Sequence, residues 1–584
     1  MSRSTLLALA ALLGAGCTPR VTTTPPAETS APSPAATAGV QPAWPDELPF
    51  RTLAPRPTTP DVTAADMMTR LYRFADDSMQ GRESGELGNF KGTTYIAAEF
   101  ARDGLTPMGE GGTFFQAIGL ERGLFDSTLA FRSSAGPIRP WSDIVPLPPL
   151  GTAPFRPELN VTDAPSVFAG TWGDPAGTPD AAGLKGKVAI FRLPGDGRSL
   201  GFWGASEPRA AGAAAVAVVI PDSVMPFIAS NFDHAREFLQ SDRPAEGPLA
   251  AFISASAVAR LFGHPVDSLS AGAAGAAVTA TVHYAVGPTA YPARNVIALL
   301  KGSDPRRNGE YVVISAHNDH VGMGRPADHD SIRAYNRVMR PWGANDRPAP
   351  PTPEQWARIH ALLDSARARR GGVVRMDSIY NGADDDGSGT VALLEIAEDL
   401  AHRPDRPARS ILFVSHTGEE KGLLGSQWYT DHPTVPRDSI VVDLNMDMVG
   451  KGRPTDMDGS PNSVQTIGSY RLSTDLGKLI DSLNTHRSEP MAINYTWDAH
   501  GNPLNRYCRS DHFMYARYGI PITYFSLGYA IDYHQLTDEP QYVDYEHGAK
   551  VARFVRDIAL AVADRPERLK VDGPIQDPKQ PCRQ

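Results

Sequence analysis

Apolar residues recur along this chain with changing periods, and the changes mark out its segments. In "AADMMTRLYRFADD" (64–77) and "TTYIAAEFARDGL" (93–105) they fall three and four apart, the spacing of amphipathic helices. Polar, glycine-rich "QGRESGELGN" lies between them. From about residue 150 to 285 the texture shifts to short β-like runs, "KVAIFRL", "AAVAVVI" and "AVTATVHYAV", divided by Gly, Pro and Ala-rich turns. From "RNVIALLKG" onward, strand-length apolar runs alternate with helical patterns. Strands are expected at "NVIALL", "YVVISA", "SILFVS", "IVVDLNM" and "PITYFSL". Helices are expected at "TVALLEIAEDLAH", "LSTDLGKLIDSLNTH", "DHFMYARYG" and "EHGAKVARFVRDIALAVADR". This order predicts an α/β fold: a mostly parallel central sheet flanked by helices, with a β-rich module inserted ahead of most of it. Sheets of this kind gather ligands at the carboxyl ends of their strands.

At 584 residues the chain exceeds one ordinary core. The pattern divides it into a leader (1–16), a Pro/Thr/Ala-rich tether (17–60), an N-terminal part of the main domain (61–149), the β-rich insert (150–285), the main part (286–565) and a tail (566–584). A net charge of −10 without a basic block offers no match to a phosphate backbone, which argues against nucleic acid as a partner. Arg3, the apolar run "LLALAALLGAG" and Cys17 read as an export signal, and the run is too short to span a membrane stably. "LLGAGC" resembles a bacterial lipobox, departing from it at Gly14. That resemblance implies a lipid anchor at Cys17 in a bacterial cell envelope; plain secretion is the alternative. Cys508 and Cys582 are too few for a disulfide scaffold, and either pair or remain separate thiols.

Acids and imidazoles collect at the predicted strand ends. "YVVISA" runs into His317-Asn318-Asp319-His320, "SILFVS" into "HTGEE" with Glu419 and Glu420, "IVVDLNM" reaches Asp447, and "PITYFSL" leads towards His534. The triplet Asp384-Asp385-Asp386 stands just before the helix "TVALLEIAEDLAH". Singly, each is an ordinary surface or structural feature. Together they place repelling carboxylates on one edge, an arrangement that a cation neutralises. A His/Asp/Glu set without Cys suits zinc or a similar ion.

"SAHNDHVG", "NGADDDGSGT", "HTGEEKGLLGS", "LNMDMVG", "SDHFMYARYGIPITYFSLG" and "DYHQLTDEP" occur in the order seen in the M28 metallopeptidases, the di-zinc aminopeptidases and their carboxypeptidase relatives. "MQGRESGELG" and "YIAAEFARDGLTPMG" are similar to the lead-in of members that carry a protease-associated (PA) domain, and "AGLKGKVAIFRLPGDG" with "ASEPRAAGAAAVAVVI" resembles that domain itself. The resemblance implies a zinc exopeptidase fold, peptide substrates and two zinc ions. Asp385 would bridge them, His317 and Asp447 would complete one ion's ligands, and Glu420 and His534 the other's. Glu419 would be the general base, Asp319 would orient His317, and Tyr507 would support the oxyanion or be a buried structural tyrosine.

The chain departs from the family pattern in an insertion at about 323–380, a candidate cover for the mouth of the site. Release of N-terminal residues is the implied activity. A carboxypeptidase is the alternative, with Arg453 or Arg509 as the cation for a terminal carboxylate. A non-catalytic binding protein is disfavoured by the intact ligand and base set. Asp384 to Glu395 also fits an EF-hand loop in spacing, but the glycines, β-branched residues and Asn-Gly turn before it do not form an entering helix.

Overall fold

The computed structural model describes residues 56–147, 158–174, 179–193, 210, 212–230, 232–240, 248–341, 343–346, 348–452, 462–578 and 582–584. The leader, Cys17, most of the tether and Arg453 lie outside the described residues. The chain divides into two compact units, and the inserted one runs from Gly119 to Thr289. It therefore begins well before residue 150, the boundary drawn from sequence. Leu120–Phe125, read from sequence as part of the main domain, is a strand of the inserted unit, paired antiparallel with Ala274–Pro288. That pairing links residues far apart in sequence, so local texture could not reveal it. Among the described residues, ten strands form this unit's sheet. The apolar runs of three of them, Val188–Arg192, Ala215–Ile220 and Leu249–Ser254, pair in parallel.

Among the described residues, the main sheet of the other unit has nine strands: β1 (Thr106–Pro107), β2 (Phe115–Ala117), β3 (Arg294–Leu300), β4 (Tyr311–His317), β5 (Ser410–His416), β6 (Ile440–Met446), β7 (Ser463–Ile467), β8 (Ala492–Asn494) and β9 (Ile522–Ser526). Their order is β1-β3-β5-β4-β6-β9-β7-β8, with β2 also on β3. The centre, β5-β4-β6-β9, is parallel. On the flanks β3 lies antiparallel to β5, and β7 antiparallel to β9. The expected parallel sheet thus holds for the four central strands, while its margins are mixed.

Alternation explains why the central strands read as unbroken apolar runs. Val312, Ile314 and Ala316 of β4, with Ile411 and Phe413 of β5, enter one hydrophobic cluster. Val313, Leu412 and Val414 enter a second cluster on the other face. The helices Ala64–Phe74, Gly389–His402 and Tyr545–Asp564 contribute to the first cluster, and Tyr429, Phe513 and Tyr515 to the second. Both faces are covered, so no polar face is needed. Cys508 and Cys582 form a disulfide. No helix of the described residues is long and apolar enough to cross a membrane.

The insertion expected at about 323–380 is folded. A ribbon pairs Met323–Asp328 with Met376–Ile379, and the helices His329–Met339 and Pro353–Arg369 share Ala334, Met339 and Ile359. It holds the loop that carries His534. His329 Nε2 lies 2.9 Å from Glu539 Oε2, Asn336 donates to Gln535, and Ala344 N donates to Tyr529 O at 3.2 Å.

Candidate metal centre

The parallel strands deliver their chemistry to one edge. β4 ends at His317, β6 runs into Asp447, β5 into Glu419 and Glu420, and β9 into the segment bearing His534. Asp385 enters from the turn Ala383–Ser388, ahead of the helix Gly389–His402. Among the described residues, two groups are arranged to hold a metal ion: His317, Asp385 and Asp447, and His320, Asp385, Glu420 and His534. Asp385 belongs to both. His317 Nε2 stands 3.3 Å from Asp385 Oδ1 and 3.6 Å from Asp447 Oδ1. His534 Nε2 stands 2.9 Å from Asp385 Oδ2 and 3.0 Å from Glu420 Oε2.

Six buried atoms that face this cluster lack any hydrogen-bond partner: His317 Nε2, His320 Nδ1, Asp385 Oδ2, Glu420 Oε1, Asp447 Oδ1 and His534 Nε2. Leaving one such group unpaired costs about 1–3 kcal/mol. Six on one centre make sense as donors turned towards cations, and the donor set fits zinc. The local fields agree. Burial opposes ionisation of Asp385, but His317 and His534 outweigh it and hold its carboxyl well below the usual range. Glu420 is likewise brought to about 2, against burial, by His534 and His320. His534 is the open side of the cluster, its side chain 34% exposed where that of His317 is 1% exposed.

Residues 295–559 match the model of peptidase family M28. Over these residues the chain is similar to that family. A probable zinc metalloprotease of Pyrenophora teres f. teres is 25% identical over 206 residues, which cover 32% of this chain and 41% of that protein. Leucine aminopeptidase 1 of Sclerotinia sclerotiorum is 30% identical over 191 residues, covering 31% of this chain and 47% of that protein. The chain thus spans less than half the length of either relative. Among solved structures, an aminopeptidase from Aneurinibacillus sp. strain AM-1 aligns with a TM-score of 0.47 at 16% identity, over 88% of this chain and 97% of that one.

Within the M28-like segment the acidic triplet is held from behind. Asp384 Oδ1 accepts from Gly450 N at 2.8 Å and Ser388 Oγ at 3.1 Å. Asp386 accepts from Gly389 N, Met448 N and His317 N at 2.9, 3.1 and 3.1 Å. The two outer acids therefore tie loops together through backbone donors, and neither reaches solvent. Asp538 accepts from the backbone of Asp384 and Asp385, and the buried Lys451 ammonium lies 2.5 Å from Asp538 and 3.0 Å from Asp532. Arg82, from the lead-in "QGRES", is fully buried and donates to the carbonyls of Phe74, Asn318, Asn381 and Gly382. Burial lowers its pKa to about 10, and Asp538, Asp319, Asp386 and Asp385 oppose that.

Gly389 allows the triplet to enter its helix. A Cβ there would stand 2.4 Å from Asp386 Oδ1 and 2.5 Å from Met446 O. Gly389→Ala should therefore cost about 1–3 kcal/mol, as overpacking does, in denaturant unfolding. Gly309→Ala, where the same atom meets open space, should be near neutral.

Asp319 behaves differently from the expected orienting carboxylate. Its backbone carbonyl lies 3.2 Å from His317 Nδ1, while its carboxylate is 3.8 Å away. The carboxylate instead accepts from Glu419 N at 3.1 Å and Glu420 N at 3.4 Å, fixing the turn that presents both glutamates. Glu419 belongs to neither donor group, and its Oε2 lies 4.0 Å from His317 Nε2. Burial pushes its carboxyl well above the usual range; His317 opposes this and Glu420 adds to it.

Tyr507 has the surroundings of a buried structural tyrosine, one of its two readings. It is buried under the Arg471 guanidinium, with its ring against His512 and Phe513. Its apolar contacts, invisible in the spacing to Ser510, decide this. Tyr533 is the tyrosine at the site, stacked on His534 with centroids 3.9 Å apart, and Arg509 Nη2 lies 3.4 Å from its hydroxyl. Ser510 donates to Asp447 Oδ2 at 2.7 Å. Glu395, the closing residue of the rejected EF-hand spacing, is paired with buried Arg70 at 2.5 Å. Sequence reasoning passed over His320 as a candidate donor, although its place three residues after His317 was a usable signal.

Proposed function

We propose that the chain is a zinc exopeptidase that releases N-terminal residues from peptides and holds two zinc ions. The observation that carries this reading is the set of six unpartnered, buried donor atoms around a shared Asp385. His317 and Asp447 would hold one ion, Glu420 and His534 the other, and Asp385 both. Bound there, the ions would supply the positive charge that eases deprotonation of water and polarises a peptide carbonyl. Glu419 lies beside the donors without belonging to them, the place a proton-accepting base needs. It takes the proton from the attacking water and passes it to the departing amine. Asp319 keeps Glu419 in place through its backbone amide.

The relatives named as leucine aminopeptidase and the intact ligand and base set support aminopeptidase action. The second reading, a carboxypeptidase, draws on Arg509 beside Tyr533, a cation placed to meet a terminal carboxylate. We extend the proposal to location: export with a lipid anchor at Cys17, which the leader residues and the Cys508–Cys582 disulfide support. The β-rich insert is proposed as a PA module. A panel of free-amine, N-blocked and C-blocked peptides, assayed after chelation and zinc return, tests the activity. Zinc-restored cleavage of free-amine and C-blocked peptides alone is expected. Cleavage that requires a free carboxylate selects the carboxypeptidase reading, and no restoration by zinc removes both.

A further inference from the structure

His320 lies among the proposed ligands but has no role in the family-derived set. Its imidazole is fully buried, and neither ring nitrogen has a partner outside the carboxylates of this cluster. A neutral imidazole presents one donor and one acceptor, so an interior position that pairs neither elsewhere is costly unless another ligand takes a nitrogen. Nδ1 stands 2.8 Å from Glu420 Oε1 and 3.9 Å from Asp385 Oδ2. The ring meets His534 edge to face, with centroids 5.4 Å apart at 80°.

The place is built for this ring. The backbone amide of His320 donates to Arg82 O at 3.1 Å, and the preceding Asn318 is fixed by Asn89 and Ser415. Gly382 lies against the ring, where a Cβ would come within 2.4 Å of His320 Cγ. Its φ of 56° also favours glycine.

We infer that His320 is a fourth protein ligand in the pocket of Asp385, Glu420 and His534, so that the two pockets are unequal, four donors against three. The inference rests on the two-ion reading of the preceding section. A four-donor shell is the closed arrangement of tightly held zinc, while three donors leave a position for water or substrate. Glu419 lies next to the three-donor pocket, 4.0 Å from His317 Nε2, where an open position is of use. The His320 pocket fills first and holds; the His317 pocket carries the exchangeable position.

The test is metal uptake by the chelator-stripped full chain, read by calorimetry and by X-ray absorption at one zinc per chain. Wild type is expected to bind in two steps, with two imidazoles around the first ion. His320→Gln should weaken one step by at least about 10-fold, the lower end of losses seen when even a supporting partner of a ligand is removed, and should show one imidazole. A single imidazole around the first ion in wild type overturns the inference without recourse to any variant. So does unchanged affinity in both steps for His320→Gln with a wild-type melting temperature. Uptake of only one ion by wild type removes the two-ion reading, and the imidazole count at that ion still decides His320.

Discussion

Glu419→Gln is expected to lower kcat by roughly 10²–10⁴-fold, the usual contribution of a positioned general base, with bound metal and KM little changed. Glutamine keeps the side chain's size and its backbone amide, which Asp319 Oδ1 holds at 3.1 Å. It removes only the oxygen that accepts a proton. Because Glu419 lies outside both donor groups, the two proposed pockets keep all their ligands. The check is steady-state kinetics together with metal analysis of the same preparation. Turnover within a few-fold of wild type, with full metal, would assign the proton transfer to another group. Loss of metal in this variant would instead make Glu419 a ligand.

Lys451→Met should destabilise the protein by about 3–5 kcal/mol, the cost of stripping one partner from a buried ion pair. Lys451 is 2% exposed and sits between Asp532 and Asp538, with Asp384 adding to the field. Burial opposes its charge, and those carboxylates outweigh it to hold the ammonium above the usual range. The pH dependence has a definite sign. Burial already raises the Asp532 carboxyl, and Lys451, with a smaller contribution from Arg333, restrains it. Without Lys451 the folded-state pKa rises further, so stability is lost as pH climbs from the unfolded value towards the folded one. Urea unfolding should show a smaller defect near pH 5 than near pH 8. Asp538 receives the backbone amides of Asp384 and Asp385, so zinc affinity should fall along with stability. A loss below about 1 kcal/mol at pH 8 would mean that water replaces the cation and that this salt bridge does not hold the triplet.

The parts of the fold legible in sequence were those where local pattern and final environment coincide. β4, β5, β6 and β9 are apolar on both faces because both faces are covered, and their run lengths bound them well. β7 escaped notice because "SVQTI" carries polar residues. Gln465 is buried all the same, bonded to Arg506 some forty residues on. β1, β2 and β8 are two or three residues long, too short for any period to register.

The proposed metal ligands show the same division. Acid and imidazole residue types at successive strand ends pointed to the site edge, since strand direction alone brings parallel carboxyl ends together; the choice of His317, Asp385, Glu420, Asp447 and His534 within it came from the M28 resemblance. His320 was missed, Tyr507 was left between an oxyanion support and a buried structural tyrosine, and Asp319 was given its carboxylate where its carbonyl is nearer to His317. In each case the deciding fact was where one side chain points. That depends on rotamers and on neighbours distant in sequence: Gly382 beside His320, Arg471 over Tyr507, and the amides of Glu419 and Glu420 in front of Asp319.

What sequence by itself determined was the sheet core, the site edge and the residue types gathered there, because those follow from periodicity and chain direction. Only the tertiary structure decided the mixed sheet margins, the start of the insert at Gly119, the donors behind the triplet and the place of His320. Long-range pairing and the satisfaction of buried polar groups are properties of the closed chain, and no local window contains them.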